Sequence, residues 1–383
     1  RPRWVRPAAG VVAALVLAWL AVRAGGTPDP EPRPVAVPTT TPVPPPPSPT
    51  PPRPEPVFRL DGEPGPGPDV RLLVGSGRPG VLDARTGRLT PLPGLRAARD
   101  AHILLSRGRG FTAALVFDGT ERFARGSLLP DGGGSVDLGR LVDLLAMRDG
   151  TVLTLVCVAG TGGGCVLGNR TATGTIRWQR RVPGALGLIR DTPYGVLLAG
   201  DGGDRGADLR LEDPRTGQVH RTISRSSHVL TADDRRVVYE RAGCDYGCPL
   251  VVADLADGRQ TSLPVRPGRP AAAALSPDGR RLALGYQGLH QQDPAPSPLR
   301  EGRAVLVDLV TGREQPVPGL ATGAKAVPVP LWTPDGSRLL LAAADGAGTG
   351  RLAAWRPGAS RLTVLPVRLR GFGAGPGLVA LLT

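Results

Sequence analysis

Four cysteines stand in two close pairs, Cys157 with Cys165 in "CVAGTGGGC" and Cys244 with Cys248 in "CDYGC". Each pair brackets a short glycine-bearing loop, so in an oxidising compartment two local disulfides are expected. Zinc bound by all four thiolates is the rival chemistry, and it requires the two pairs to meet across the fold. "DGGDRGAD" offers Asp201, Asp204 and Asp208 as oxygen ligands of the kind calcium takes. Their spacing matches no calcium loop and Arg205 opposes the charge, so a solvated turn is the plainer reading, and no metal is expected. Polar groups suited to contact a partner cluster in "YQGLHQQDPAPSPLREGR" as His290, Gln291, Gln292 and Asp293, and in the second cysteine loop as Asp245 and Tyr246. The prolines and arginines of that insertion equally suit a loop without a role. Catalytic signatures are missing: there is no Gly-x-Ser-x-Gly elbow, His-Glu-x-x-His, P-loop or dinucleotide fingerprint. The histidines His102, His220, His228 and His290 are scattered. The expectation is therefore no catalytic residue, no cofactor and no enzyme, with a carboxylate pair assembled from distant parts of the chain left open.

The scaffold that must position these loops is repetitive. An apolar strand, a Thr-Gly or similar turn and a second strand recur in "GVLDARTGRLTPLPG", "LRLEDPRTGQVHRTIS", "LVVADLADGRQTSLPV" and "AVLVDLVTGREQPVPG", among others. The turn glycines Gly87, Gly132, Gly174, Gly217, Gly258, Gly312 and Gly358 are mostly 41 to 46 residues apart, the long interval before Gly312 holding an insertion. Seven copies at that period predict an all-β fold, a single β-propeller with seven four-stranded blades. A second element, "AAALSPDGRRLALGY" at 272–286, is repeated as "PLWTPDGSRLLLAAA" at 330–344. Pro277, Asp278 and Gly279, and again Pro334, Asp335 and Gly336, are turn residues: proline presets φ, aspartate bonds its own backbone, and glycine supplies positive φ. They join the two inner strands of a blade, so Asp278 is not read as a catalytic acid.

These residues resemble the WD40-like or TolB-like propeller repeats of exported bacterial proteins, with Trp332 completing the pattern in one copy and Leu275 replacing it in the other. "TATGTIRW", ending in Trp178, is also similar to quinoprotein-type repeats, although the other copies lack that tryptophan. In a propeller the turns between first and second and between third and fourth strands lie on one face. The second-to-third connections lie on the other, and here they are the elaborate ones, carrying all four cysteines and the insertion. Long loops gathered on one rim are where function is grafted on such a scaffold. The resemblance implies a binding, scaffold or sensor module; the alternative is a propeller lyase or glycoside hydrolase with a central-channel site.

Residues 7–22 run without a charge, flanked by Arg1, Arg3, Arg6 and Arg23 and carrying Trp4 and Trp19 near their ends. That pattern predicts a transmembrane signal anchor at 7–24, with 1–6 the end of a cytoplasmic tail, or a cleaved signal peptide. From 25 to 57 almost every second residue is proline, which precludes helix or sheet and favours an extended linker reaching up to about 90 Å. The propeller then occupies 58–383, outside the membrane. A formal charge of +14, nearly all of it arginine, draws the domain toward polyanions. Nucleic acid is not expected outside the cell, and no basic run is interleaved with aromatics. Expected partners are a protein, a peptide or an anionic cell-envelope polymer, met by a monomeric propeller, with the membrane engaged through the N-terminal helix.

Overall fold

The computed structural model describes residues 58–75, 78–95, 101–117, 124–157, 164–184, 186–200, 206–242, 248–264, 270–288, 302–322, 326–344, 349–370 and 378–380, all within the compact unit Pro54–Thr383. Their regular structure is entirely β-strand. No helix among them is long and apolar enough to cross a membrane, and the expected span at 7–24 lies outside the described residues.

The chain enters as β1 (Arg59–Leu60) and β2 (Gly62–Pro64), then forms an antiparallel meander of β3 (Arg71–Val74), β4 (Gly80–Asp83) and β5 (Leu89–Pro91). A second sheet holds β6 (His102–Gly108), β7 (Phe111–Phe117), β8 (Ala124–Pro130) and β9 (Val136–Leu141). A third holds β10 (Asp143–Ala146), β11 (Val152–Cys157), β12 (Cys165–Arg170) and β13 (Ile176–Val182). Next come β14 (Leu186–Thr192), β15 (Gly195–Gly200), β16 (Ala207–Glu212) and the long β17 (Val219–Ala232). β17 serves two meanders, pairing with β16 through its first half and with β18 (Arg236–Arg241) through its second. β19 (Leu250–Asp254) and β20 (Gln260–Ser262) complete that seven-stranded sheet. β21 (Pro270–Leu275), β22 (Arg281–Tyr286), β23 (Arg303–Asp308) and β24 (Glu314–Pro316) form another meander, and β25 (Leu320–Ala321) pairs with β1. Finally β26 (Val329–Trp332), β27 (Leu339–Ala344), β28 (Thr349–Trp355) and β29 (Leu362–Arg370) accept β2 as a parallel fifth strand, and β30 (Leu378–Ala380) pairs with β3. Strands from both ends of the domain thus share one sheet, as expected for ring closure.

The core lies between sheets. Val238, Leu250 and Val252 meet Leu282, Leu284, Tyr286, Val305 and Val307 of the next sheet. Comparable clusters join the other consecutive sheets, and one returns from β27 and β28 to β3 and β4, closing a ring. Inner and middle strands are covered on both faces, which is why "FTAALVF" and "LLLAAA" read as unbroken apolar runs. Outermost strands, such as β20, face solvent and read as polar.

Turn chemistry follows the sequence closely. Ser276 Oγ donates to Asp278 Oδ1 at 2.5 Å and accepts from the Arg281 amide at 2.9 Å, while Gly279 has φ 66°. Thr333, Ser337 and Asp335 repeat the arrangement, and their hydroxyls hold the Asp335 carboxyl down to about 2. These carboxylates are turn clamps. In the other recurring turn, Asp83, Asp213, Asp254 and Asp308 each accept an amide two or three residues ahead through Oδ1. Each also accepts the amide of the turn glycine through its own carbonyl, at 2.8 to 2.9 Å. In the weakest copy the positive φ falls on Gly133 and Gly134 rather than on Gly132, because a run of three glycines leaves the turn free to shift.

Arginines link these turns around the ring. Arg148 pairs with Asp191, Arg190 with Asp234 at 2.9 Å, Arg236 donates to the Gly279 carbonyl, and Arg281 donates to the Gly336 carbonyl at 3.1 Å while lying over Trp332. Each contact crosses from one meander to the next, so part of the arginine excess is structural.

Candidate functional site

Backbone hydrogen bonds from Leu255 to Arg235 and from Leu309 to Arg280 place the Pro-Asp-Gly and Asp-x-x-x-Gly turns at the same end of their sheets. The second-to-third connections therefore emerge at the opposite end. There Cys157 and Cys165 face one another as cross-strand partners and form a disulfide, with Cα atoms 4.1 Å apart. Cys248 is buried and disulfide-bonded; Cys244, its expected partner, lies outside the described residues. So do Asp245, Tyr246, His290, Gln291, Gln292, Asp293, Asp201 and Asp204. Asp208 sits on β16 with its carboxylate 3.2 Å from Arg210, a cationic neighbour in place of a metal. Reducing Cys157–Cys165 is expected to cost at most about 2.6 kcal/mol for a loop this short, read as the part of the fall in melting temperature with reductant that the Cys157→Ala, Cys165→Ala chain, which keeps the Cys248 disulfide, does not show.

Register places further polar residues at this end that no loop motif announced. Glu240 shares a face of β18 with Val238, opposite Leu250 on one side and His228 on the other. Tyr286 and Arg303 are paired across β22 and β23 on the face that carries Leu284 and Val305. All four residues therefore face the same gap between sheets, at its end on the loop face. Glu240 and Tyr286 are buried, and each is engaged in a further contact. The Arg303 guanidinium lies over the Tyr286 ring, 5.3 Å from its centre, and its buried Nε has no hydrogen-bond partner among the described residues. A charged or polar residue closing an apolar strand, as in "VVYER" and "RAVLV", was the available signal.

Asp143 is another such residue, beginning β10 at the inner edge of its sheet. Its Oδ1 accepts the Leu144 amide at 2.8 Å, and its Oδ2 accepts the Leu188 amide of the neighbouring inner strand at 2.7 Å. Burial nevertheless pushes its carboxyl up to about 6, outweighing those two bonds. Since its folded value is raised, the associated stability is fully present below about pH 4 and is lost as pH rises through 6. That loss is at most about 3 kcal/mol, and melting temperatures from pH 4.5 to 7 should fall for the native chain and stay flatter for Asp143→Asn. Equal slopes would refute the assignment.

No protein-family model matches the sequence, and neither does any curated protein. Solved structures do match. The periplasmic gluconolactonase of Pseudomonas aeruginosa is 14% identical, with 82% of this chain and 99% of that one covered at a TM-score of 0.53. An oligogalacturonate lyase in complex with manganese is 16% identical, with 76% and 83% covered at 0.51. TolB from Acinetobacter baumannii is 13% identical, with 79% of this chain but only 66% of TolB covered, at 0.44. The chain has a β-propeller fold, the architecture it shares with the gluconolactonase and the lyase. One expectation is corrected: the absence of sequence motifs pointed away from an enzyme, with a carboxylate pair left open, yet a lactonase and a lyase share this architecture over most of both chains. The physical reason is that a propeller can assemble a site from strand ends on different sheets, which leaves no contiguous signature.

Proposed function

We propose that this chain is a seven-bladed propeller held outside the cytoplasmic membrane by its N-terminal segment, and that it binds a protein, a peptide or an anionic envelope polymer on its loop face. Dividing the seven-stranded sheet at β17, outer strand of one meander and inner strand of the next, supports that blade number. The observation that carries the binding reading is the set His228, Glu240, Tyr286 and Arg303, gathered where the connections following β18 and β22 leave their sheets. Core chemistry has no use for an arginine donor left without an acceptor. The test is cross-linking in living cells followed by mass spectrometry, comparing the full chain with one lacking Leu289 to Arg300. Partners captured only by the intact chain support the reading; identical catches refute it.

A propeller lyase or glycoside hydrolase is the second reading, favoured by Asp143, a carboxyl of raised affinity for protons at the inner edge of its sheet. Turnover of an anionic wall polysaccharide that disappears in Asp143→Ala, with folding intact, is the result it requires.

A further inference from the structure

We infer that the group of strand-end residues at the loop end of the gap between β17–β20 and β21–β24 takes an oxyanion, the carboxylate or phosphate of an anionic polymer, with Arg303 as its principal donor. This rests on the binding reading above and names the group bound. Three observations converge on it. Arg303 follows the connection that leaves β22, and its register partner Tyr286 is 1% exposed. The guanidinium carbon stands 5.3 Å from the ring centre, a cation–π contact that restricts the side chain. Nε is buried and lacks an acceptor, and no carboxylate pairs with this guanidinium among the described residues, unlike Arg180, Arg190 and Arg210. A planar fork with an unmet donor is complementary to a two-oxygen anion, which it can hold through parallel hydrogen bonds.

The opposing sheet supplies His228, half-buried on the inner strand β17, whose side chain makes no hydrogen bond or ion pair among the described residues. Glu240 beside it has a contact of its own, and no ion pair joins it to Arg303 among the described residues. Arg303 Nε is a donor only and an imidazole N–H is a donor too, so a ligand that meets both is an acceptor. Among acceptors, a chain with 47 basic against 33 acidic residues concentrates polyanions at its surface, which favours a polymer of repeated anionic groups.

The experiment is calorimetric titration of the full chain with polygalacturonate, with poly(glycerol phosphate), with an oligoglutamate peptide and with neutral dextran. Variants are Arg303→Gln, Arg303→Lys and, as a charge-matched control on the opposite end of the same sheet, Arg313→Gln. Binding of either polyanion that drops about tenfold in Arg303→Gln and stays within twofold in Arg313→Gln is the expected result. The polymer that binds tells carboxylate from phosphate, and Arg303→Lys, which keeps charge and loses the fork, should lose most of the affinity as well. Equal loss in Arg303→Gln and Arg313→Gln overturns the site in favour of diffuse charge, and binding of the peptide alone overturns it in favour of a protein partner. If no polyanion binds while cross-linking still captures loop-dependent partners, this inference fails and the binding reading survives; if capture fails too, both fall. Thermal melts of each variant separate a lost site from a lost fold.

Discussion

Replacing Glu212 by alanine is expected to lower the unfolding free energy by about 3–5 kcal/mol, the cost of leaving buried charge unpaired. Glu212 ends β16 with only 2% of its side chain exposed, and both carboxylate oxygens are taken. Arg180 reaches Oε1 from β13 of the preceding sheet, and Arg210 reaches Oε2 at 2.8 Å. Arg180 also donates through Nε to the Pro214 carbonyl at 2.6 Å, so the cluster fastens one sheet to the turn of the next. Without the carboxylate, two guanidiniums, 19% and 21% exposed, confront each other with only the half-exposed Asp208, on the Arg210 side, as counter-charge. Glu212→Gln should cost less, because it keeps the shape and one acceptor. Arg361→Ala, which breaks a pair with Glu63 that is 73% exposed on both sides, should cost under about 1 kcal/mol. Urea unfolding at constant m-value measures all three. A Glu212→Ala loss no larger than that of Arg361→Ala would mean that the cluster is solvated in solution.

The contrast between those ion pairs shows where sequence reading stops. Turn glycines, the Pro-Asp-Gly hairpins and the alternation of buried and polar strands are local, set by φ and by which faces of a strand are covered, so they are legible from the residues alone. The clamp role of Asp83, Asp213, Asp254 and Asp308 was equally local and visible four residues before each turn glycine. Arg180 and Glu212, or His228 and Arg303, are different, since each pair comes from separate sheets and its meaning depends on which gap each side chain faces. That orientation follows from register, and a single bulge, such as the one after Val229 in β17, changes it. Loop residues singled out for their types, Asp245 and His290 among them, lie outside the described residues, whereas register places Glu240 and Arg303 at the strand ends. Composition does not show where the arginines go: several also hold carbonyls and carboxylates of neighbouring turns.

Deleting residues 378–383 is expected to produce the largest effect on the ring as a whole, lowering the melting temperature by about 10 °C or more. β30 supplies the inner strand of a sheet whose other members, β3, β4 and β5, come from the opposite end of the domain. Three register pairs, from Leu72↔Ala380 to Val74↔Leu378, hold it there. Removing it leaves the amides and carbonyls of β3 unpaired at a new edge and uncovers Leu72, Leu73 and Val74, each 0% exposed in the closed ring. A handful of lost backbone bonds near 1 kcal/mol each, with the newly exposed apolar surface, gives at least about 4 kcal/mol, and at roughly 2–4 °C per kcal/mol the shift follows. A second fastening exists, because β2 lies parallel against β29 and β1 against β25. Gly62 permits that approach, as a Cβ there would stand 2.6 Å from the Leu362 carbonyl oxygen. Gly62→Val loosens only this outer strap, whose residues are largely exposed, and should shift melting by a few degrees. If truncation and Gly62→Val were to exchange their magnitudes, the ring would be closed by its entering strap rather than by β30, and the shared sheet would be a consequence of closure instead of its cause.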